Sequence, residues 1–542
     1  MSWISLLKIK NKNNNNNAPT TTRIKPSLVP PSFLIFFTPP LFPVPLFSSH
    51  LLHPPLFPNT YDRSQTTFPK SMSLSLITIF SLITTLCIPP SSSQTTLKLS
   101  LSPIHNPHIA GSKSTNPWVQ TLNHLSSSSL ARAHYLKHPK DNSSASNSQF
   151  NSKINSQIPL FPQSYGAYSV SLSVGSPGQT LSFVMDTGSS LVWFPCTKRY
   201  MCYGCDFPGV NETRVPKFIP RLSSSAKIIG CSNKKCGLLF GSGSSGQCTS
   251  KEICPAYMVQ YGSGSTSGLL LSETLNFKEG GVKDFVVGCS ILSTRQPAGI
   301  AGFGRGPASL PVQMGLKKFS YCLVSHRFDD APVSSEMVLV RNSKNMGSSN
   351  SAGIAGVSYT KFRENPGSSN SAFKEYYYLS LRKITVGGKT VKIPYDFLVP
   401  GSDGNGGTII DSGTTFTFMD NQVHNLVAKE FESQVSKYKR AADVEDMTGL
   451  RPCFNVSGKR VEIPELMFHF KGGAKLALPT ADYFSLLGDT DALCMTIVSS
   501  DRIGLGQKLG PSIIIGNYQQ QNIYVEYDLE KGRLGFKKQQ CK

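Results

Sequence analysis

The chain has 542 residues, of which 39% are hydrophobic, and a formal net charge of +22. This length is sufficient for two or three domains with sizeable cores. Residues 1–160 hold 13 Lys and Arg residues but only two acids, Asp62 and Asp141, so the rest of the chain carries +11 without a dense basic run. That distribution argues against nucleic-acid binding. Because no apolar stretch of 18 residues follows residue 100, we expect no stable membrane insertion.

The first 93 residues indicate a leader and a secretion signal. Residues 1–71 are of low complexity, rich first in Asn and then in Pro, Phe and Leu, and the prolines exclude a continuous helix. Met72 opens MSLSLITIFSLITTLCIPPSSS, which is typical of a signal peptide over residues 72–93. We hypothesise that translation begins at Met72 and that residues 1–71 are a gene-model extension. A genuine low-complexity leader is the alternative.

Residues 94–160 differ from both neighbours in composition. They are rich in Ser, Asn and Lys, with one helical pattern over 118–137. Their low hydrophobicity means that they cannot fold alone.

From Tyr165 onward the pattern predicts strands. Short alternating apolar runs are separated by Gly, Pro and Ser to the end of the chain, which is typical of an all-β protein. Helical spacing occurs only over 308–314 and 421–438. Residues 331–372 are rich in Ser, Asn and Gly and predict a connection or a long surface loop.

One motif occurs twice within this β region. Residues 183–194 read FVMDTGSSLVWF, and residues 408–419 read TIIDSGTTFTFM. In each copy a buried strand turns at a Gly and brings one carboxylate, Asp186 or Asp411, to the floor of a cleft. Each copy is followed by an apolar element that ends in Gly, GIAG at 299–302 and IIIG at 513–516. A repeat of this length predicts two related lobes, each with one carboxylate.

With these paired motifs the chain resembles a pepsin-like aspartic protease, closest in style to the cysteine-rich nepenthesin type of plants and without a saposin-like insert. The resemblance covers Tyr165 to Cys541. It implies an all-β, bilobal fold with an active-site cleft between lobes at 161–330 and 373–542. It also implies that residues 94–160 are a propeptide.

The resemblance assigns the chemistry to Asp186 and Asp411. Two close carboxylates share one proton, so one takes a proton from water while the other donates to the scissile carbonyl. By position in the motif, Thr187 and Ser412 should brace the two loops against each other. Further support comes from hydroxyl groups that bond the outer carboxylate oxygens and glycines whose N–H groups approach each Asp: Ser189, Thr414, Gly188 and Gly413.

A hairpin over residues 257–265, YMVQYGSGS, resembles the flap that closes over a substrate in this family. Its flap residues would be Tyr261 and Gly262, and Trp193 would be the partner of the tyrosine. An ordinary surface hairpin is the alternative.

Twelve cysteines follow the predicted signal peptide, and an even set in a secreted chain predicts disulfides. Cys202 and Cys205 could instead form half of a zinc site. Connectivity cannot be read from spacing. The resemblance to nepenthesins implies six bridges: Cys196–Cys202, Cys205–Cys289, Cys231–Cys254, Cys236–Cys248, Cys322–Cys541 and Cys453–Cys494.

Three sequons, at Asn142, Asn211 and Asn455, are compatible with glycosylation in the secretory pathway. We therefore expect the protein in the extracellular space of the plant, the apoplast or cell wall, or alternatively in the vacuole.

We predict a monomeric acid endopeptidase that acts on polypeptides, needs no cofactor or metal, and is inhibited by its own basic propeptide lying in the acidic cleft. The rival prediction is an inactive binding protein of the plant xylanase-inhibitor type. The complete set of Asp186, Asp411 and Tyr261 favours the enzyme. A lectin-like cell-wall protein has no sugar-binding signature in this sequence.

Overall fold

Strands are the main regular secondary structure of the chain. The computed structural model describes residues 93–103, 117–139, 166–205, 215–240, 252–262, 264–278, 280–296, 298–325, 334–343, 354–367, 370–457, 461–487, 490–499 and 509–542. All of these belong to one unit, Cys87–Lys542. The predicted leader, and the signal peptide except for its last residue, lie outside them.

The strands in chain order are β1 Ser93–Pro103, β2 Tyr168–Val174, β3 Gln179–Asp186, β4 Trp193–Pro195, β5 Met201–Tyr203, β6 Lys227–Ile228, β7 Tyr257–Gln260, β8 Ser265–Phe277, β9 Gly280–Thr294, β10 Gly299–Gly302, β11 Leu316–Cys322, β12 Ser335–Ser343, β13 Ser358–Lys361, β14 Tyr377–Leu379, β15 Leu381–Val386, β16 Lys389–Thr390, β17 Thr408–Ile410, β18 Thr417–Met419, β19 Cys453–Asn455, β20 Leu466–Phe470, β21 Lys475–Ala477, β22 Phe484–Leu487, β23 Ala492–Met495, β24 Ile497–Ser499, β25 Ile513–Ile515, β26 Ile523–Asp528 and β27 Arg533–Lys538.

The α-helices are α1 Pro117–Lys137, α2 Gly237–Phe240, α3 Leu310–Met314, α4 Tyr395–Leu398, α5 Asn421–Gln434 and α6 Ala442–Thr448. Short 3₁₀ turns lie at Pro220–Leu222, Lys234–Cys236, Ser371–Lys374, Thr480–Asp482 and Asn517–Gln520.

The strands form one large sheet and three smaller ones. The large sheet runs β13-β27-β26-β11-β12-β1-β2-β3-β10-β4-β9-β8-β6, with β5 paired to β9 and β7 to β8. The three smaller sheets are built from residues after 376: β14-β17-β25-β18-β24, β16-β15-β20-β21 and β19-β23-β22. This is the all-β, bilobal architecture that the repeat predicts.

The alternation in the sequence explains how the strands pack. In β2, Tyr168, Val170, Leu172 and Val174 are buried while the intervening serines are partly or fully exposed, because successive side chains of a strand point to opposite faces. Strands β17 and β25, beside Asp411, are buried at every residue, as expected for strands covered on both faces.

Strand β1 lies inside the large sheet. It pairs antiparallel with β12 over Ser93–Leu101 and with β2 over Leu101–Pro103. The side chains of Leu97, Leu99 and Leu101 are buried in the main core. A segment from the predicted propeptide therefore supplies a central strand.

The predicted helices are present with shifted bounds. The pattern over 118–137 is helix α1, that over 308–314 is the shorter α3, and that over 421–438 ends at Gln434 in α5. The region 331–372 is not only connection, because it contains β12 and β13. Met337, Leu339 and Val340 are buried in β12, and this apolar content outweighs the turn-rich residues around it.

Candidate active site

The two aspartates of the repeat occupy equivalent places at the ends of strands. Asp186 is the last residue of β3, which pairs in parallel with β10. In this pairing Asp186 lies opposite Gly302. Asp411 follows β17, which pairs in parallel with β25, and its N–H donates to Ile515 O at 3.0 Å. Each carboxylate thus lies where two buried parallel strands end. We call Asp186 and Asp411 together the dyad.

The Gly that closes each apolar element is required by close packing. A Cβ at Gly302 would lie 2.3 Å from the Ser190 carbonyl group, and one at Gly516 would lie 2.3 Å from Thr415 O. Both distances are too short for any side chain. The loop after each aspartate can therefore pack against this position only because the residue there is Gly.

Matching donors hold the two carboxylates. Gly188 N donates to Asp186 Oδ1 at 2.9 Å, and Ser189 Oγ donates to Oδ2 at 2.6 Å. In the second lobe Gly413 N donates to Asp411 Oδ1 at 2.9 Å, and Thr414 Oγ1 donates to Oδ2 at 2.7 Å. The structure brings together all six residues in the arrangement expected from the motif.

The two loops also bond each other. Ser412 N donates to Thr187 Oγ1 at 2.9 Å, and Thr187 N donates to Ser412 Oγ at 3.1 Å. The Ser412 hydroxyl in turn donates to Met185 O at 2.9 Å. All of these groups are buried, so the brace fixes the separation of the two carboxylates.

A guanidinium group from helix α1 bridges the aspartates. Arg132 Nη2 lies 2.6 Å from Asp186 Oδ1, and Arg132 Nε lies 3.1 Å from Asp411 Oδ2. The Arg132 side chain is only 9% exposed. Since one planar group donates to both carboxylates, the two must lie within its span of each other.

The surroundings push the pKa values of the two aspartates apart. Burial and the neighbouring Asp411 charge raise the pKa of Asp186 to about 6, although Arg132 opposes this. For Asp411, burial is outweighed by Arg132 and by the donors Thr414 and Gly413, so its pKa is lowered. A pair divided in this way can act as acid and base at once.

The predicted flap lies beside the dyad. Trp193 Nε1 donates to the Tyr261 hydroxyl at 2.8 Å, and burial raises the pKa of that phenol well above its usual value. A Cβ at Gly262 would lie 2.4 Å from Arg132 Cα. The hairpin therefore closes directly onto the backbone of α1.

An open pocket of about 500 Å³ extends from the dyad between flap and second lobe; we call it the cleft pocket. Apolar residues such as Leu191, Val259 and Ala308 line it together with Glu375. Ser190 Oγ donates to Glu375 Oε2 at 2.6 Å, and burial raises the pKa of this carboxyl. Tyr135 of α1 also lies in the pocket, 6.3 Å from the Tyr261 ring.

The end of α1 makes a second buried ion pair. Lys137 Nζ lies 2.6 Å from Asp420 Oδ1 and 3.1 Å from Pro511 O, and the Lys137 side chain is fully buried. Burial lowers the pKa of this ammonium group.

Sequence reasoning did not single out Arg132, Lys137 or Glu375. A signal existed for the first two, because they are the only basic residues between 118 and 137 besides histidine.

Five disulfides join described cysteines, and three of them correct the predicted pairing. Cys322–Cys541 and Cys453–Cys494 are as predicted. In the first lobe the bridges are instead Cys196–Cys289, Cys202–Cys205 and Cys236–Cys254. Cys196 follows β4, which runs parallel to β9, and this places its Cα 5.0 Å from that of Cys289. Cys231 is also bonded, and Cys248 lies outside the described residues.

Other predicted features are placed as follows. Asn455 is exposed at the end of β19, while Asn142 and Asn211 lie outside the described ranges. Cys202 and Cys205, the candidate zinc ligands, are bonded to each other. Within the part of the chain that the structure describes, no helix is long and apolar enough to cross a membrane.

Comparisons with known proteins cover the two lobes. Two family models match, one described as xylanase inhibitor N-terminal over residues 168–339 and one as xylanase inhibitor C-terminal over residues 376–538. A probable aspartyl protease of Arabidopsis thaliana is 33% identical over 422 residues, which are 69% of this chain and 82% of that protein. The aspartic proteinase nepenthesin-1 of Nepenthes gracilis is 33% identical over 384 residues, 69% of this chain and 78% of that protein.

Solved structures agree on the fold. The protein titled edgp has a TM-score of 0.50 at 19% identity, covering 70% of this chain and 94% of that one. Conglutin gamma, a basic 7S globulin from lupine seeds, has a TM-score of 0.50 at 16% identity, covering 70% of this chain and 93% of that one.

Proposed function

Since the chain belongs to the plant pepsin-like aspartic protease family, we propose that it is an endopeptidase made as a secreted or vacuolar zymogen. Asp186 and Asp411 are its catalytic pair, and residues 94–160 are its prosegment. One observation carries the proposal: two buried carboxylates, each with the same set of donors, converge on a single guanidinium group. An inactive binding protein has no need for such a pair.

The proposed reaction begins once the prosegment has left the cleft. Without Arg132, Asp186 and Asp411 share one proton as a coupled pair. The ionised aspartate takes a proton from a water molecule as the water oxygen attacks the peptide carbonyl carbon, and the protonated aspartate gives its proton to the carbonyl oxygen. The aspartate that took the proton from water then gives it to the amide nitrogen, while the other aspartate takes a proton back from a diol hydroxyl. The C–N bond breaks, and an amine and a carboxylic acid leave. The donors around each aspartate keep the carboxylates in place throughout.

Tyr261 and the flap would close over the bound peptide and exclude water. An extended peptide would bind through backbone hydrogen bonds and side-chain pockets, the cleft pocket among them. Polypeptides are therefore the proposed substrates, and the chain acts as a monomer without a cofactor.

We further propose that the prosegment inhibits the enzyme in cis. Arg132 occupies the position of the attacking water and of the peptide carbonyl, because it bonds both carboxylates. Its charge lowers the pKa of both aspartates, so acidification must oppose its binding. Inhibition is strongest where both are ionised. Inhibition weakens as pH falls toward about 6, where Asp186 gains a proton. It weakens further at lower pH, when Asp411 also gains a proton.

Replacing either catalytic aspartate by Asn tests the proposed function. Asp186→Asn and Asp411→Asn keep the size of the side chain but remove the shared ionisation, so each acid-treated variant should lose peptide cleavage by at least the 10²–10⁴-fold typical of one acid–base group. Cleavage of a quenched fluorescent peptide measures this loss. Full activity in either variant would falsify the assignment. A wild-type protein that cuts no unfolded polypeptide between pH 3 and 6 (roughly the range in which such a dyad shares its proton) would favour the binding-protein rival.

A further inference from the structure

A second open pocket, of about 870 Å³, lies outside the dyad and is lined by β13, the residues that follow it, and the turn after β20. We call it the basic pocket. Four cationic side chains and one carboxylate line its walls: Lys361, Arg363, Lys471, Arg533 and Glu364. The walls therefore carry a formal excess of three positive charges.

Among the described residues, only one of these cations pairs with a carboxylate. Arg533 Nε lies 2.8 Å from Asp528 Oδ2, and its guanidinium stacks 3.8 Å from the Tyr359 ring centroid. Lys361, Arg363 and Lys471 form no salt bridge with any carboxylate that the structure describes. Like charges around a concave surface concentrate a positive potential. The pocket is thus suited to anionic groups.

The basic pocket shares a wall with the substrate cleft. Arg305 lines the cleft pocket, and its guanidinium contacts the Asn365 side chain and the Phe362 ring, which both line the basic pocket. Asn365 Nδ2 also donates to Tyr376 O at 2.9 Å, and Tyr376 belongs to the cleft pocket. The two pockets are therefore neighbours on the surface around Arg305, Asn365 and Tyr376.

The prosegment takes this direction. After Arg132 on the dyad and Tyr135 in the cleft pocket, the chain reaches Pro139, whose carbonyl oxygen accepts from Asn370 Nδ2 at 2.7 Å. Asn370 follows the segment that carries Arg363 and Asn365 by only a few residues. The chain that fills the cleft thus contacts the second lobe close in sequence to residues that line the basic pocket.

From this geometry we propose that the basic pocket is an exosite for acidic side chains of the polypeptide substrate, several residues from the scissile bond. The inference rests on the proposed endopeptidase function. It specifies the substrate class: polypeptides with a Glu- or Asp-rich stretch beside an apolar cleavage site. Free acidic peptides or acidic polymers would bind the basic pocket through carboxylates as well, and would therefore compete with the acidic stretch of the substrate.

The test compares quenched fluorescent peptides that share one cleavable core and carry a tail of three Glu or three Gln at either end. With the acid-treated wild-type protein at pH 5.5 and low salt, the Glu-tailed peptide should have a kcat/KM about three- to tenfold higher, as expected for a few exposed ion pairs. Salt should remove this advantage. It should also disappear as pH falls below about 4, where the Glu side chains of the peptide gain protons.

Two double variants localise the effect. Lys361→Gln/Arg363→Gln should abolish the preference for Glu tails and leave the Gln-tailed rate unchanged. The matched control, Lys227→Gln/Lys278→Gln, removes the same charge from exposed positions in and beside β6 and β8, at the opposite end of the large sheet, and should retain the preference.

Equal rates for the two tails in the wild-type protein would overturn the exosite, and so would a preference for Glu tails that survives in the pocket variant. In either case, cleavage of the Gln-tailed peptide would still support the proposed endopeptidase function. If no peptide is cut, the proposed function fails, and fluorescence anisotropy of a labelled Glu-tailed peptide decides the exosite. Binding that weakens in the pocket variant but not in the control supports it, and binding that is absent or equal in all three proteins rejects it.

Discussion

At the dyad, one arginine satisfies two carboxylates that would otherwise repel each other. The guanidinium is planar and presents separate N–H groups to the two oxygens, so it fits between aspartates held by rigid loops. A lysine ammonium would supply the charge without this geometry. Arg132 therefore supplies a positive charge to both carboxylates and occupies the place where the proposed chemistry would occur.

Replacing Arg132 tests this double role. In Arg132→Gln the precursor should inhibit itself about tenfold or more weakly at pH 7, because charged hydrogen bonds to both aspartates are lost. Arg132→Lys should be intermediate, since the charge remains. The measurement is peptide cleavage by the uncleaved precursor from pH 4 to pH 7. An unchanged pH profile in Arg132→Gln would show that latency does not depend on the dyad contact.

The sequence predicted the residues of the dyad better than their partner. Asp186 and Asp411 lie in a repeated local pattern, and the donors around them follow from neighbouring positions in the same turn. Arg132 belongs to a separate segment that meets the dyad only through long-range docking, so no local pattern assigns it. The cysteine pairing depends in the same way on which strands become neighbours, and for the first lobe it was wrong.

At the scale of elements, helix α1 is anchored at its end as well as at its centre. Leu125, Leu130 and Leu136 are buried against residues of the second lobe, and Lys137 pairs with the buried Asp420. The helix is thus held by an apolar face and two separate ion pairs.

Replacing Lys137 by Met should destabilise the precursor by about 3–5 kcal/mol, because Asp420 would keep a buried charge without a cation. Lys137→Met/Asp420→Asn should recover part of this loss. Lys98→Met is the control, since its pair with Glu336 is 61% exposed on both sides and should contribute at most about 1 kcal/mol. Urea denaturation of the four precursors gives the free energies of unfolding. Equal losses of unfolding free energy in Lys137→Met and Lys98→Met would show that the buried Lys137–Asp420 pair does not stabilise the precursor more than an exposed pair does.

The strand pattern was predictable as a class but not in every segment. Region 331–372 contains β12 because its apolar side chains find the buried face of a sheet formed by distant parts of the chain. Local turn propensity cannot reveal such a partner, and it therefore predicted a loop.

At the scale of the whole molecule, one disulfide ties the C-terminus to the middle of the chain. Cys322 and Cys541 are separated by 219 residues, whereas Cys202 and Cys205 are separated by three. Because a cross-link restricts the unfolded chain more when its loop is longer, Cys322→Ser/Cys541→Ser should lower the free energy of unfolding by about 2–5 kcal/mol.

Cys202→Ser/Cys205→Ser is the matched control and should cost less. Thermal unfolding of both double variants gives the comparison. A larger loss from the short bridge would mean that local geometry, and not loop length, determines the contribution of these bridges.

The position of strand β1 affects whether the mature protein could refold. The strand fills the position between β12 and β2 with buried leucines, and it belongs to the proposed prosegment, which maturation would remove. On that proposal, the chain folds with a strand that the mature form would not keep. The mature form would then persist because unfolding is slow, and not because it is the most stable state of its own sequence. Once denatured, it would lack the template needed to return, so a single unfolding event would end its working lifetime.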